Sequence, residues 1–369
     1  MANMKLALVV PGGVDRSGED RVIPALLALV RRLAAAHELH VFALAQEPVP
    51  GSWTLEGAVI HNMGNARAIG RTVAAIRREH RRAPFALVQA IWSGFSGLSA
   101  VAAAKLLRVP ACVHVAGGEL AALPGIGYGG QLRWHWRVLE RFTLRNARRV
   151  TAASEPIIAV IERFGGRAQR LPLGVDLQSW PPMLPRRRVA GAAARLVHVA
   201  SLNRVKDQTT LLEAARRLVQ RGLDFHLDVV GEDTLGGAVQ ALAMRLGLAQ
   251  HVTFHGLLRQ GALRPIVERA DVNVISSLHE TGPLVVLEAA VAGVPTVGTR
   301  VGHIAEWDGA AAMAVSPGDA AALAAGIEAL LGDEPRRQQL AFAAQARAMT
   351  EDADYTAARF LAMYDELTH

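Results

Sequence analysis

Residues 271–299 read DVNVISSLHETGPLVVLEAAVAGVPTVGT. DVNVISS is a short, β-branched run bounded by polar residues, the pattern of a buried strand. HETG follows as a loop, and Pro283 suits the first turn of a helix, where a missing N–H costs nothing. Gly293, followed by Val294 and Pro295, stops that helix. A strand, a loop and a short helix in this order are the unit from which parallel sheets are built. The stretch also raises a chemical question. Glu280 lies in the loop, but Glu288 lies inside LVVLEAAVA, where a charge is costly unless it is paired.

Working outward, the same alternation covers most of the chain. KLALVVPGG is a strand entering a glycine loop, and RVIPALLALVRRLAAAH is a helix. ELHVFAL and AVIHNM are strands, and RTVAAIRREHRR is a basic helix. FALVQAIWS, LSAVAAAKLLR and ACVHVAGG continue the pattern. Prolines and clustered arginines in WPPMLPRRRVAGAAA, residues 180–194, mark an exposed connection. The pattern then restarts with RLVHVASL, TTLLEAARRLVQRG, FHLDVVGE, AVQALAMRLGL and HVTFHG. The expected fold class is α/β, with two Rossmann-like, doubly wound parallel-sheet domains facing across a cleft. Residues 1–180 form the first domain, 181–194 the linker and 195–350 the second domain. Residues 351–369 form a terminal amphipathic helix expected to pack back toward the first domain.

Bulk properties agree with that division. A chain of 369 residues is too long for one ordinary core, and 51% hydrophobic with 20% charged residues is a globular composition. The net charge of +7 points to an anionic partner: a nucleotide, a lipid headgroup or a nucleic acid. Cys112 stands alone, which excludes an internal disulfide and fits a reducing compartment. The apolar opening is too short for a secretory signal, and no apolar run reaches the ~18 residues of a membrane span. A cytoplasmic location is expected. Lysine occurs only at positions 5, 105 and 206, so nearly every basic residue is arginine. A surviving lysine then marks a place where a compact ammonium fits better.

Gly282 and the free N–H groups of Leu284 and Val285 stand at the positive end of the helix, an anion site suited to a diphosphate. Glu280 and Glu288 flank it and could accept hydrogen bonds from sugar hydroxyls. A nucleoside diphosphate sugar has that layout. Taken alone, Glu288 could equally snorkel to water; the spaced pair is the specific signal.

The block ADVNVISSLHETGPLVVLEAAVAGVPTVGTRVGHIAE resembles the donor site of the family 4 retaining glycosyltransferases, with Glu280 and Glu288 on their E-x7-E signature. VASLNRVKDQTTLLEA, VVGEDTLGG, HVTFHGLL and LPLGVDLQSW are similar to further family landmarks. The resemblance implies a GT-B fold and a metal-independent enzyme of polysaccharide or glycoconjugate biosynthesis. It would move a hexose-type sugar from a UDP- or GDP-linked donor to an acceptor hydroxyl on a glycan, a lipid-linked sugar or a small molecule. It places Glu288 on the ribose, Glu280 on the transferred sugar, Lys206 on the diphosphate and Gly256 in the base-contacting loop. Gly12 and Gly13 fall on the glycine-rich turn after the first strand, which would let backbone approach donor or acceptor, although a tight turn is a fair alternative. Asp15, Arg16 and Glu19 in that turn are candidate acceptor contacts.

Two departures stand out. The family's arginine position carries Ser201, and Arg204 nearby is the candidate replacement. The family's histidine before a glycine pair is Ala116. His114 lies two residues earlier on the same strand face, as a compensating catalytic group or as a buried structural histidine. Glu119 after the glycines could meet acceptor hydroxyls. Asp352 and Asp354 imitate a metal-binding DxD by coincidence, and no cluster has metal-ligand spacing.

Trp134, Trp136 and the surrounding arginines form an aromatic, basic helix. It could touch an anionic membrane at the inner face, or pack with a solvated arginine edge. Nucleic-acid binding has no accompanying motif. A GT-B nucleotide-sugar epimerase, and a non-catalytic nucleotide-sugar or membrane-surface binding protein, stand as alternatives to transfer.

Overall fold

The computed structural model describes residues 3–189 and 191–368. Ala190, in the expected linker, lies outside them. The chain divides into two units, one running to Asp176 and resuming at Glu351, the other Leu177–Thr350.

The N-terminal unit contains β1 (Lys5–Val10), α1 (Pro24–Ala36), β2 (Glu38–Ala43), β3 (Gly51–Leu55), β4 (Ala58–Asn62), α2 (Ile69–Arg82) and β5 (Leu87–Ile91). It continues with α3 (Leu98–Leu107), β6 (Ala111–Val115), α4 (Trp134–Asn146), β7 (Arg149–Ala152), α5 (Glu155–Arg163) and β8 (Gln169–Arg170). Its eight strands run in the order β3-β4-β2-β1-β5-β6-β7-β8. Every pairing is parallel except β3 with β4. Both faces of this sheet are covered, so β1, β5 and β6 read as near-continuous apolar runs.

The C-terminal unit contains β9 (Ala194–Val199), α6 (Gln208–Gln220), β10 (Phe225–Val230), α7 (Ala238–Arg245), β11 (Val252–Gly256), α8 (Gln260–Glu268), β12 (Val272–Ile275) and α9 (Leu284–Val291). It closes with β13 (Thr296–Thr299), α10 (Gly302–Trp307), β14 (Ala312–Val315), α11 (Ala320–Gly332) and α12 (Glu334–Thr350). Its six strands run β11-β10-β9-β12-β13-β14, all parallel. In such a sheet the strand order reverses at β9 and β12. Ligands bind outside the carboxyl ends of the strands at that reversal.

The last helix, α13 (Ala353–Thr368), belongs to the N-terminal unit. Phe360 and Tyr364 are fully buried there among Leu6, Leu8 and Cys112. Asp352 accepts from the Tyr355 N–H at 2.8 Å and so caps this helix, while Asp354 pairs with Arg32. These contacts give both DxD carboxylates structural partners. Pro283 takes the N-cap of α9, one position earlier than the first-turn place expected for it.

Candidate functional site

The reversal between β9 and β12 brings two loops together. The loop after β9 carries Ser201, Arg204 and Lys206; the loop after β12 carries Ser276, Ser277 and Glu280. The Leu278 N–H donates to the Val205 carbonyl, and the Ser276 hydroxyl donates to the Lys206 carbonyl, each at 2.8 Å. These bonds lock the loops side by side. Lys206 Nζ then meets Glu280 Oε1 at 2.5 Å, and the Ser277 hydroxyl donates to the same oxygen at 2.7 Å. Two residues 74 positions apart in sequence thus form one ion pair, part-buried at the carboxyl edge of the sheet.

Beneath them lies a group that sequence patterning did not single out. His198, on β9, is fully buried; its Nδ1–H donates to the Val274 carbonyl at 2.8 Å. Burial holds the ring down to about 4, with the nearby Lys206 charge adding to the effect, so it is neutral at ordinary pH. Gln208 donates to His198 Nε2 at 3.3 Å and to the Ser201 carbonyl at 3.1 Å. Ser201 therefore offers its backbone to the loop's support and presents no charge where the family has arginine. Asp207 is left-handed (φ 49°) and caps α6 by accepting from the Thr210 N–H. That turn directly follows Lys206 in the chain. Arg204 is exposed in the same loop and has no ion pair among the described residues.

Glu288 sits in the second turn of α9, half-buried, and burial alone pushes its carboxyl up to about 7. No side-chain partner meets it among the described residues. Leu284 and Val285 form the first turn of that helix, and Gly282 lies in the turn before it, so their amides stand at the helix's positive end. Gly256 ends β11 in a left-handed conformation (φ 67°); its carbonyl accepts from the Gly231 N–H at 2.9 Å, and a Cβ there would meet open space. The C-terminal unit thus gathers, in its loops and on α9, an ion pair, a helix N-terminus and an unpaired carboxyl. Among the described residues no group of His, Cys, Asp or Glu is placed to hold a metal ion.

The N-terminal candidates divide differently. The Gly13 and Val14 N–H groups both donate to Gln46 Oε1, at 2.7 and 2.9 Å. Gly13 has φ 84°, and a Cβ there would lie 2.6 Å from Ile23. The turn after β1 is braced by its own chain, and Gly13 serves the turn. Gly12 lies against Gln46 as well. Asp15 pairs with Arg21 and Ser17, and Arg16 with Glu47, so both carry protein partners. His114 is 0% exposed, shares a 2.9 Å hydrogen bond with Thr151 and packs edge-on against Phe360. Burial lowers its ring to about 3. That is the setting of a core histidine under α13. Glu119 does line an open pocket, described below.

Two doubly wound parallel-sheet units, with the candidate carboxyls gathered where one sheet reverses, are the arrangement that the GT-B resemblance implies. A model of the group 1 glycosyl transferases matches residues 193–333, and a model of the glycosyl transferase 4-like domain matches residues 22–174. The chain belongs to the glycosyltransferase family these describe. It is 27% identical to the glycogen synthase of Mycobacterium tuberculosis over 94% of its length and 81% of that protein. Other curated relatives match over about half of their own length. The sucrose-phosphate synthase of Thermosynechococcus elongatus superposes with a TM-score of 0.81 at 18% identity, covering 98% of this chain and 99% of that one. Anabaena HepE, solved with UDP and glucose, superposes at 0.77 and 16% identity over 99% and 100% of the two chains. These structural likenesses carry the fold. The protein is a glycosyltransferase acting from a nucleotide-sugar donor.

Proposed function

We propose that the chain transfers a hexose, with retention of anomeric configuration, from a nucleoside diphosphate sugar to an acceptor hydroxyl. The observation that carries this reading is the Lys206–Glu280 pair at the reversal of the C-terminal sheet, beside a helix N-terminus and the unpaired Glu288. In this reading the donor diphosphate takes over Lys206, and the freed Glu280 accepts from the hexose hydroxyls. Glu288 accepts from the ribose. As the bond from anomeric carbon to phosphate oxygen breaks, Lys206, Arg204 and the α9 amides stabilise charge on the departing diphosphate. The anomeric carbon bonds to the acceptor oxygen, and the acceptor proton leaves with the phosphate. UDP is the first base to try, because HepE was solved with it.

The face of α4 adds a location. Trp134, Val138 and Phe142 recur every four residues, 71%, 60% and 43% exposed. Arg133, Arg137 and Arg141 lie exposed on the adjacent stripe. No helix among the described residues is long and apolar enough to cross a membrane, and this stripe suits peripheral contact with an anionic bilayer at the cytoplasmic face.

The test is a thermal-shift panel of UDP- and GDP-sugars on the full chain, followed by turnover with candidate acceptors. A ligand at 100 times its Kd adds about 2.7 kcal/mol. Lys206→Ala is expected to abolish the donor's shift, and Arg204→Ala to reduce it. If no sugar nucleotide stabilises the protein, or if donor alone is rapidly epimerised, transfer is the wrong reaction.

A further inference from the structure

The carboxyl ends of β1, β2, β5 and β6 open into a pocket of about 390 Å³ in the N-terminal unit. Its walls are aromatic: Trp92, Phe95, Tyr128 and Trp136. Two acids, Glu119 and Glu140, share it, and no lysine or arginine lines it.

The backbone around the pocket is unusual. Trp92 has φ 72°, a strained conformation for a bulky side chain. The chain then makes one π-helical turn, Ser93–Gly97, kinked at Gly94. A Cβ on Gly117 would lie 2.9 Å from the Trp92 ring, and one on Gly118 would lie 2.3 Å from the Tyr128 hydroxyl. The glycine pair after β6 therefore lets two aromatic walls close in. Phe95 and Trp136 meet with ring centroids 4.6 Å apart.

The acids are under-satisfied. Glu140 is 1% exposed, and among the described residues neither carboxyl oxygen has a hydrogen-bond partner. Ser93 and Gly94 lie toward it without meeting hydrogen-bond geometry, and the Ser93 hydroxyl is itself unpartnered. Glu119 accepts from the Ser93 N–H at 3.1 Å through Oε1, while its buried Oε2 has no partner among the described residues. Burial, and then the Glu119 charge, push the Glu140 carboxyl up to about 8, so at neutral pH it holds its proton.

We propose that this pocket seats the acceptor as an amine-bearing sugar, its ammonium between Glu119 and Glu140 and its ring against Trp136 and Phe95. The proposal rests on the glycosyl-transfer reading only for the word acceptor. A neutral polyol would meet the carboxyls only as hydrogen-bond partners and leave the pair to keep its proton, whereas ionising both acids in an apolar box requires a counter-charge. An ammonium brings one positive charge and three donors. Aromatic faces attract it further and stack on the C–H face of the ring.

The experiment titrates the full chain at pH 7 with glucosamine, N-acetylglucosamine and glucose. Tryptophan fluorescence is the readout, with saturation-transfer NMR as a second. Glucosamine is expected to bind at least ten-fold more tightly than either neutral sugar. Glu140→Gln is expected to erase that preference while UDP binding is unchanged. Equal binding of all three sugars, or tighter binding of a neutral one, overturns the proposal. So does the absence of any sugar binding in a protein that still binds UDP, which would leave glycosyl transfer standing. A preserved glucosamine preference with no sugar-nucleotide binding would support the pocket's chemistry and sink the transfer reading instead. The wild-type panel decides even if the variant fails to fold.

Discussion

Glu288 is raised to about 7 by burial, so near neutrality it changes between a neutral acid and an ionised acceptor. Ribose hydroxyls bind the ionised form better, because hydrogen bonds to charge are the stronger ones. UDP affinity is therefore expected to fall as pH drops from 8 to 6, by up to about ten-fold per unit below the titration point. Glu288→Gln should bind more weakly and show a flat profile by calorimetry; a wild-type profile as flat as the variant's would remove Glu288 from the ribose. Glu140 sets a second pH effect, this time on stability. Its folded carboxyl titrates near 8 against an ordinary value of 4.5, so folding takes up a proton. Its contribution is present at low pH and is lost as pH rises through about 8, on the order of 3–5 kcal/mol in total. Glu140→Gln should melt higher than wild type at pH 9 and no higher at pH 5. Glu119 is raised too, so the slope shrinks rather than vanishes. As candidates, Glu280, Glu288 and Lys206 were legible in the sequence, because the loop or helix around each carries a dense local pattern. His198 was not, since its role depends on β12 crossing beside β9. For His114 the strand alternation gave the face, but not that a helix from the far end of the chain covers it.

Among the elements, the short connection from β9 to α6 carries much of the site's precision. Asp207 adopts a left-handed backbone and caps α6, accepting from the Thr210 N–H and from its hydroxyl at 2.6 Å. Asp207→Ala should cost about 1–2 kcal/mol in denaturant melts, a typical N-cap loss, and should weaken donor binding because Lys206 is the preceding residue. Asp207→Asn keeps a capping oxygen and tolerates the left-handed turn, so it should retain most of both. If alanine and asparagine behave alike, the cap does not position Lys206. The order of the strands is seen only in the fold, while the two parallel sheets and most helices followed from the alternation of apolar runs. The hairpin of β3 and β4 did not, because its tight turn is Glu56-Gly57, both at positive φ. Asn-Gly or Asp-Gly would have announced that turn, and glutamate does not. Helices α11 and α12 also went unread, since alanine-rich segments such as AAALAAGIEALLG show little contrast between faces.

At the scale of the whole chain, the N-terminal unit is completed by residues that come last in sequence. Phe360 and Tyr364 are buried in its core, Phe360 packs on His114, and the Thr356 hydroxyl accepts from the Gly174 N–H at 2.9 Å. The amphipathic pattern of the terminal segment is visible in sequence, but which core it fills is a property of packing. Two compact units, each with its own sheet, predict that damage to one core stays local. Phe360→Ala removes a fully buried aromatic and should cost roughly 3–5 kcal/mol. Hydrogen exchange should quicken in β1, β5 and β6, which this core includes, and stay unchanged in β9 to β14. Because the proposed donor site lies wholly in the C-terminal unit, UDP affinity should survive the substitution at temperatures below the first melting transition. Loss of UDP binding in a variant whose C-terminal amides keep their protection would mean that the donor site needs the N-terminal unit intact.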